Sequence, residues 1–140
     1  MRFEASIDIT APAEHVFAVY SDVERWPEWT RSVTSVERLD EGPLRVGSRA
    51  RIRQPRLPVA VWEVTEVVPD RSFIWVARGP GVITTGSHVV TQLDGGDRVK
   101  ATALLEQAGL LGPLVGRLTK RLTNDYLNTE VRGLKARCEA

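Results

Sequence analysis

The sequence has very little cysteine: Cys138 is the only one among 140 residues, so no disulfide can form within the chain. A lone cysteine is typical of proteins in a reducing compartment, and we therefore expect a cytoplasmic protein. One cysteine and two distant histidines, His15 and His88, form no ligand cluster, so we predict no metal site. We find no phosphate-binding glycine loop and expect no cofactor.

Long apolar runs and an excess of charge of one sign are also missing. No stretch approaches the roughly 20 apolar residues that cross a membrane, and the first ten residues alternate like a strand, so we expect no signal peptide. A formal net charge of +1 gives no general reason to bind nucleic acid. With 42% hydrophobic and 26% charged residues, the composition is that of an ordinary globular domain, expected to cover residues 1–140.

Periodicity divides the chain into strands and helices. Residues 2–9 alternate between apolar and polar, which predicts a strand with one wet face. Pro12 begins a short amphipathic helix, and a second short helix could start at Pro27. Apolar residues recur at helical spacing in the first of these helices at Val16, Phe17, Tyr20 and Val23. Short turns then separate predicted strands, which we expect to be antiparallel, at 33–39, 48–54, 59–68, 72–78, 82–93 and 98–107.

Helical spacing returns in the last segment, from 112 to 138. It has two apolar clusters on nearly opposite sides: Leu114, Val115, Leu118 and Leu122, then Leu127, Val131, Leu134 and Cys138. Either the helix bends near 123–125, or its two halves bury different faces. The predicted class is α+β, with a seven-stranded curved antiparallel sheet wrapped around a long carboxy-terminal helix and two short helices after the first strand.

Several motifs, taken in this order, carry a resemblance to a known family. They are ITAPAEHVF (9–17), SDVERWPEW (21–29), VGS (46–48), VVPDR (67–71) and GLLGP (109–113). The chain resembles the polyketide cyclase/dehydratase and lipid-transport branch of the START-like superfamily (SRPBCC), which has the helix-grip fold of the birch-pollen allergen. The resemblance implies a cavity between the long helix and the concave face of the sheet. Family members hold sterols, lipids, quinones or polyketides there, and a minority catalyse cyclisation or dehydration.

Candidate ligand-binding residues are those that could face this cavity. The tryptophans either line an apolar pocket or fill the core, and Trp26 is the one we assign to the core. His88, the one candidate catalytic residue, could position a carbonyl or move a proton, or could be a satisfied structural residue. Gln54 and Gln107 face inward only if their strands have the required parity, which is open for 48–54 and 59–68. The full set is Trp29, Gln54, Trp62, Trp75, His88, Gln107, Leu118, Leu122 and Tyr126.

Alternation also places Arg49, Arg51 and Arg53 together on one strand face, expected to be the convex one. Such a face is either simply solvated or a contact for a homodimer or an anionic protein or lipid surface.

The favoured function is binding or carriage of a small apolar molecule (a lipid, polyketide, quinone or sterol-like compound). One alternative is a polyketide cyclase/dehydratase-type enzyme that uses polar groups of the cavity. Because no nucleophile elbow or Cys–His pair is present, such an enzyme would work without a covalent intermediate. A further alternative is a regulatory protein-interaction module.

Overall fold

Seven strands form one antiparallel sheet in the computed structural model, which describes residues 1–140. The strand order is β1-β7-β6-β5-β4-β3-β2. The strands are β1 (Arg2–Ile9), β2 (Ser35–Arg38), β3 (Arg49–Arg53), β4 (Ala60–Val68), β5 (Ser72–Gly79), β6 (Val82–Gln92) and β7 (Val99–Ala108). The helices are α1 (Ala13–Ser21), α2 (Gly112–Leu118) and α3 (Lys120–Cys138), and a 3₁₀ helix spans Val23–Glu28. The predicted helix-grip architecture is confirmed, with the second short helix beginning before Pro27 and not at it.

The structure resolves the inward parity of the two uncertain strands. Ala50 and Ile52 of β3 are buried, and so are Trp62 and Val64 of β4. A β-bulge then interrupts the pairing of β4 with β5 between Val64 and Glu66, so that one extra residue is accommodated. The outward residues of β3 are its arginines, as expected from alternation.

The carboxy-terminal segment is two helices, and the break lies at Thr119, not in the predicted 123–125 region. The backbone of Thr119 departs from regular α-helical geometry, with φ −104° and ψ 6°. Its hydroxyl donates to Val115 O at 2.7 Å. The hydroxyl shares Val115 O with the Thr119 backbone N–H, which donates to it at 2.9 Å, and a threonine hydroxyl bonded in this way bends a helix. The two helices can therefore follow different directions.

Helix α3 packs on β1 and β7 and against α1. The predicted stripe of Leu127, Val131, Leu134 and Cys138 is buried. One turn of α3 also carries a very close backbone approach: a Cβ on Gly133 would overlap Trp29 O. Only glycine lets the loop after the 3₁₀ helix sit this close to α3, which brings Trp29 to the edge of the core.

Candidate functional site

His88 lies at the centre of a buried aromatic cluster on the inner face of the sheet. Its ring stacks on Phe73 with centroids 4.1 Å apart and an interplanar angle of 15°. The rings of Tyr20, Trp75 and Trp26 approach it at 5.1, 5.3 and 5.4 Å. All five residues are buried. Sequence alternation on β5 and β6 aims Phe73, Trp75 and His88 inward, while the two helical segments after β1 supply Tyr20 and Trp26.

The environment of His88 fixes its protonation state. Burial is the main influence and lowers the pKa of His88 to about 3, so the ring is neutral at pH 7. Nδ1 lies 3.2 Å from Phe73 O. A carbonyl oxygen can only accept, so Nδ1 carries the ring proton and donates to Phe73 O. Nε2 is therefore a hydrogen-bond acceptor.

Nε2 of His88 has no hydrogen-bond partner within the protein. The fully enclosed side-chain nitrogens and oxygens without a partner are Arg38 Nε and Gln107 Oε1, and His88 Nε2 is not among them. A small space therefore borders this nitrogen. The indole N–H of Trp75 also has no hydrogen-bond partner in the protein and is not fully enclosed. The indole N–H of Trp26, in contrast, donates to Tyr20 O at 2.9 Å. The cluster thus offers one unused acceptor and one unused donor.

Glu130 and Tyr20 form a second buried polar feature beside His88. The Tyr20 hydroxyl donates to Glu130 Oε2 at 2.6 Å, which joins α1 to α3. Burial raises the pKa of Glu130 to about 7, although the Tyr20 hydrogen bond acts in the opposite direction. Burial, and then the charge of Glu130, raise the pKa of Tyr20 well above its usual value. Near pH 7 the pair therefore holds a carboxyl group that can gain or lose a proton.

Sequence reasoning missed Glu130 as a site residue and assigned Tyr20 only to a helix face. A signal for Glu130 was present, because it is three residues after Leu127 and four before Leu134 in the apolar stripe of α3. An acidic residue at that position is buried if the stripe is buried. Its partner on α1 is 110 residues away in sequence, and no local pattern identifies it.

The predicted site residues fall into two groups. Trp62, Trp75 and His88 lie together, with the two indole rings 5.7 Å apart, and half-buried Trp29 reaches the edge of the cluster with its ring 6.3 Å from that of Tyr20. Gln54 lies beyond the end of β3 and donates to Ser32 O at 3.2 Å. Trp62, Trp75 and His88 lie on inward-facing positions of their strands, and Gln54 continues the inward alternation of β3. Trp29 is not on a strand.

The remaining predicted residues lie at the far end of the sheet or on the helices. Gln107 is half-buried near α2, where a Cβ on Gly116 would lie 3.1 Å from its Oε1. Tyr126 is half-buried and donates its hydroxyl to Pro55 O, and Leu122 is also half-buried. Leu118 is 77% exposed and is not part of the cluster, because α2 turns its glycine face toward the sheet.

Two surface clefts have similar volumes. One, of about 360 Å³, is lined by Trp29, Arg31, Thr129, Arg132 and Gly133, so it lies beside Glu130 along α3. The other, of about 370 Å³, is lined by Phe17 and Ser21 of α1 and by residues of the β2–β3 and β4–β5 connections. Neither cleft is lined by His88 or Trp75. No group of three or more His, Cys, Asp or Glu side chains is placed to hold a metal ion, and no helix is long and apolar enough to cross a membrane.

The arginine face of β3 is exposed. Arg51 pairs with Glu37 at 2.6 Å, and neither Arg49 nor Arg53 takes part in an ion pair.

A curved antiparallel sheet that grips a carboxy-terminal helix defines the START-like class of proteins. The chain belongs to the polyketide cyclase / dehydrase and lipid transport family, whose model matches residues 1–139. The family predicted from the sequence motifs is therefore confirmed. No curated protein matches the chain in sequence.

Three solved structures are similar over nearly the whole chain. A hypothetical protein of Helicobacter pylori has a TM-score of 0.83 at 15% identity, with 99% of this chain and 88% of that chain covered. A START superfamily protein of Mycobacterium smegmatis has a TM-score of 0.77 at 19% identity, with coverages of 99% and 97%. The Zhui aromatase/cyclase of Streptomyces sp. R1128 has a TM-score of 0.73 at 17% identity, with coverages of 100% and 96%. Identities this low establish the fold alone.

Proposed function

We propose that residues 1–140 form one ligand-binding domain that binds a small apolar molecule carrying a hydroxyl group, in the space between α3 and the inner face of the sheet. The observation that carries the proposal is the gathering of Tyr20, His88 and Glu130 inside an aromatic cluster. Burying three titratable groups in one apolar interior opposes folding. Such groups concentrate at functional sites, where a ligand uses their unpaired atoms.

The chemistry of the cluster indicates the polar part of the ligand. His88 Nε2 accepts, so it would take a hydrogen bond from a ligand hydroxyl. The indole N–H of Trp75 would donate to a carbonyl or ether oxygen. The surrounding rings would contact a flat or branched hydrocarbon body, as found in a polyketide, quinone or sterol-like compound or a lipid.

The test compares two probes that differ in one donor, 1-naphthol and 1-methoxynaphthalene, by fluorescence titration. We expect the wild-type protein to bind 1-naphthol about three- to tenfold more tightly, the effect of one neutral hydrogen bond. His88→Phe should remove the difference, whereas His15→Phe at an exposed position should keep it. Equal binding of both probes by the wild type, or binding of neither, contradicts the proposal.

A second candidate function, an enzyme that transfers protons as a cyclase or dehydratase does, is supported by the carboxyl of Glu130 beside Tyr20, because burial raises the pKa of this carboxyl to about 7. Glu130 carboxylate would remove a proton from the carbon next to a ligand carbonyl, which leaves an enolate and a carboxylic acid. The acid, after exchange of its proton with the solvent, would return a proton or deuteron to the same carbon. Exchange of the C1 protons of 2-tetralone in deuterated water tests this. Glu130→Gln should abolish any protein-dependent exchange and Glu106→Gln, at an exposed position, should leave it unchanged. Exchange no faster than in buffer removes the candidate.

We also propose a cytoplasmic location, supported by the single thiol, Cys138, which is buried and unpaired.

A further inference from the structure

The segment before α3 exposes an unusual amount of apolar surface. Leu110 is 96% exposed, Leu111 45%, Leu114 54% and Leu118 77%. Of the six other exposed large apolar side chains, Met1 lies next to α2, and the remaining five are scattered through the rest of the chain. Scattered exposed apolar residues are ordinary, whereas a contiguous group marks an interaction surface. We call this group the leucine surface.

The leucines are exposed because α2 packs on the sheet through its glycines. A Cβ on Gly116 would lie 2.6 Å from Met1 Cγ, and a Cβ on Gly112 would lie 2.9 Å from Gln107 O. Leu111, Leu114 and Leu118, at positions i, i+3 and i+7, then form one outward stripe. The turn that carries Leu110 is held in place, because Leu111 N donates to Gly81 O at 2.8 Å.

Along the chain, the charge beside the leucine surface has one sign. Between Glu106 and Asp125 the sequence has no acidic residue, but it has Arg117, Lys120 and Arg121. None of these three cations takes part in an ion pair, although eight other cations do. A partner that covers this surface must therefore accept leucine side chains and supply negative charge.

We propose that the leucine surface docks the protein on an anionic lipid bilayer. The leucines would enter the boundary between headgroups and acyl chains, and the three cations would lie at the lipid phosphates. The contact is peripheral, because no helix is long and apolar enough to span the bilayer. A second copy is a poorer occupant, because a twofold contact through the leucines would bring the cations of both copies together. The inference does not depend on the interior ligand.

Sedimentation of the full chain with vesicles tests the proposal. We expect binding to vesicles of equal phosphatidylglycerol and phosphatidylcholine, weakened by added salt, and little binding to phosphatidylcholine alone. The double variant Leu114→Glu/Leu118→Glu should bind at least about tenfold more weakly, because two apolar contacts are lost. Val46→Glu, at another exposed apolar position (64%), is the matched control and should bind like the wild type.

The cations are tested against the arginine face of β3. Replacing Arg117, Lys120 and Arg121 by Gln should weaken binding by about two orders of magnitude, at about fivefold per cation. Replacing Arg49, Arg51 and Arg53 by Gln should leave binding within about threefold of the wild type. Circular dichroism checks that each variant is folded. If the double glutamate variant does not fold, the single variant Leu118→Gln replaces it as a milder change to the leucine surface.

Three results would overturn the proposal. The first is no sedimentation with anionic vesicles. The second is a loss of binding that follows the β3 arginines and not the leucine surface. The third is a solution dimer that Leu114→Glu/Leu118→Glu converts to monomers, which would make a second copy the occupant.

Discussion

Asp40 and Glu130 are both acidic residues held by hydrogen bonds, yet their surroundings differ. Asp40 accepts from Arg38 Nη2 at 2.8 Å, Ser48 Oγ at 2.9 Å and the Arg49 backbone N–H at 2.9 Å. Glu130 accepts one hydrogen bond, from Tyr20. The pKa of Asp40 is lowered, chiefly by the Arg49 backbone N–H, whereas burial raises that of Glu130.

The difference separates a structural carboxylate from a candidate functional one. The three donors around Asp40 fix the connection between β2 and β3 and stabilise the charged form. Glu130 lies in an apolar interior where its charge is poorly compensated, and its one partner, Tyr20, has its ring 5.1 Å from that of His88. A group in the second setting is able to change its protonation state or its partner, and a group in the first is not.

The largest expected effect concerns the packing that encloses Glu130. Gly133→Ala places a methyl group where it would overlap Trp29 O, so the loop or α3 must move. We expect a loss of about 3 kcal/mol in the free energy of unfolding, the upper part of the range for overpacking. Urea unfolding measures it, with Arg132→Ala on the exposed side of α3 as control. A loss below about 0.5 kcal/mol, the range of surface substitutions, would mean that Trp29 does not hold the cluster closed.

The next prediction uses the raised pKa of Glu130. Its pKa is about 7 when folded, against an ordinary value of 4.5, so as the pH rises the unfolded chain loses this proton first. Wild-type stability relative to Glu130→Gln should therefore fall between about pH 4.5 and pH 7 and level off above, by about 3 kcal/mol in all. Urea unfolding of both proteins across this range measures it. Parallel pH profiles would show that Glu130 is not enclosed.

The lowered pKa of Asp40 gives a smaller effect of opposite sign. When the pKa is lower in the folded protein, the stabilisation is present above the ordinary value of 3.8 and is lost as the pH falls through the folded pKa. Asp40→Ala should cost about 2 kcal/mol at pH 7, because three donors lose their acceptor. It should leave the binding of 1-naphthol unchanged. A weakened affinity with normal stability would contradict the structural role of Asp40.

The sequence predicted the sheet and the inner face of α3 because both depend on simple periodicities. Alternation groups Trp75 with Phe73 on one face of β5, and the structure shows that this face and that of His88 on β6 point inward; the stripe from Leu127 to Cys138 is sufficient to orient α3. The break between α2 and α3 coincides with the hydrogen bond from the Thr119 hydroxyl to Val115 O. A threonine hydroxyl in a helix either faces solvent or bonds to the preceding turn, and the sequence does not distinguish these two cases.

The residues gathered in the candidate site could be predicted only in part, because its polar half is a long-range arrangement. The Tyr20–Glu130 hydrogen bond joins two helices, and the unpaired Nε2 of His88 results from the position of Phe73 O. Leu118 was expected in the cavity because helical spacing groups it with Leu122. The glycine face of α2 instead turns Leu118 to the outside, as Gly116 packs against Met1.

The most direct test of the central claim is the nitrogen chemical shifts of His88, measured by NMR at pH 7 with exposed His15 as a reference. We predict a neutral ring protonated on Nδ1, with a Nε2 resonance that moves when 1-naphthol is added and stays in place with 1-methoxynaphthalene. A ring protonated on Nε2, or a Nε2 resonance indifferent to 1-naphthol at saturation, would contradict a hydroxyl-binding site at His88.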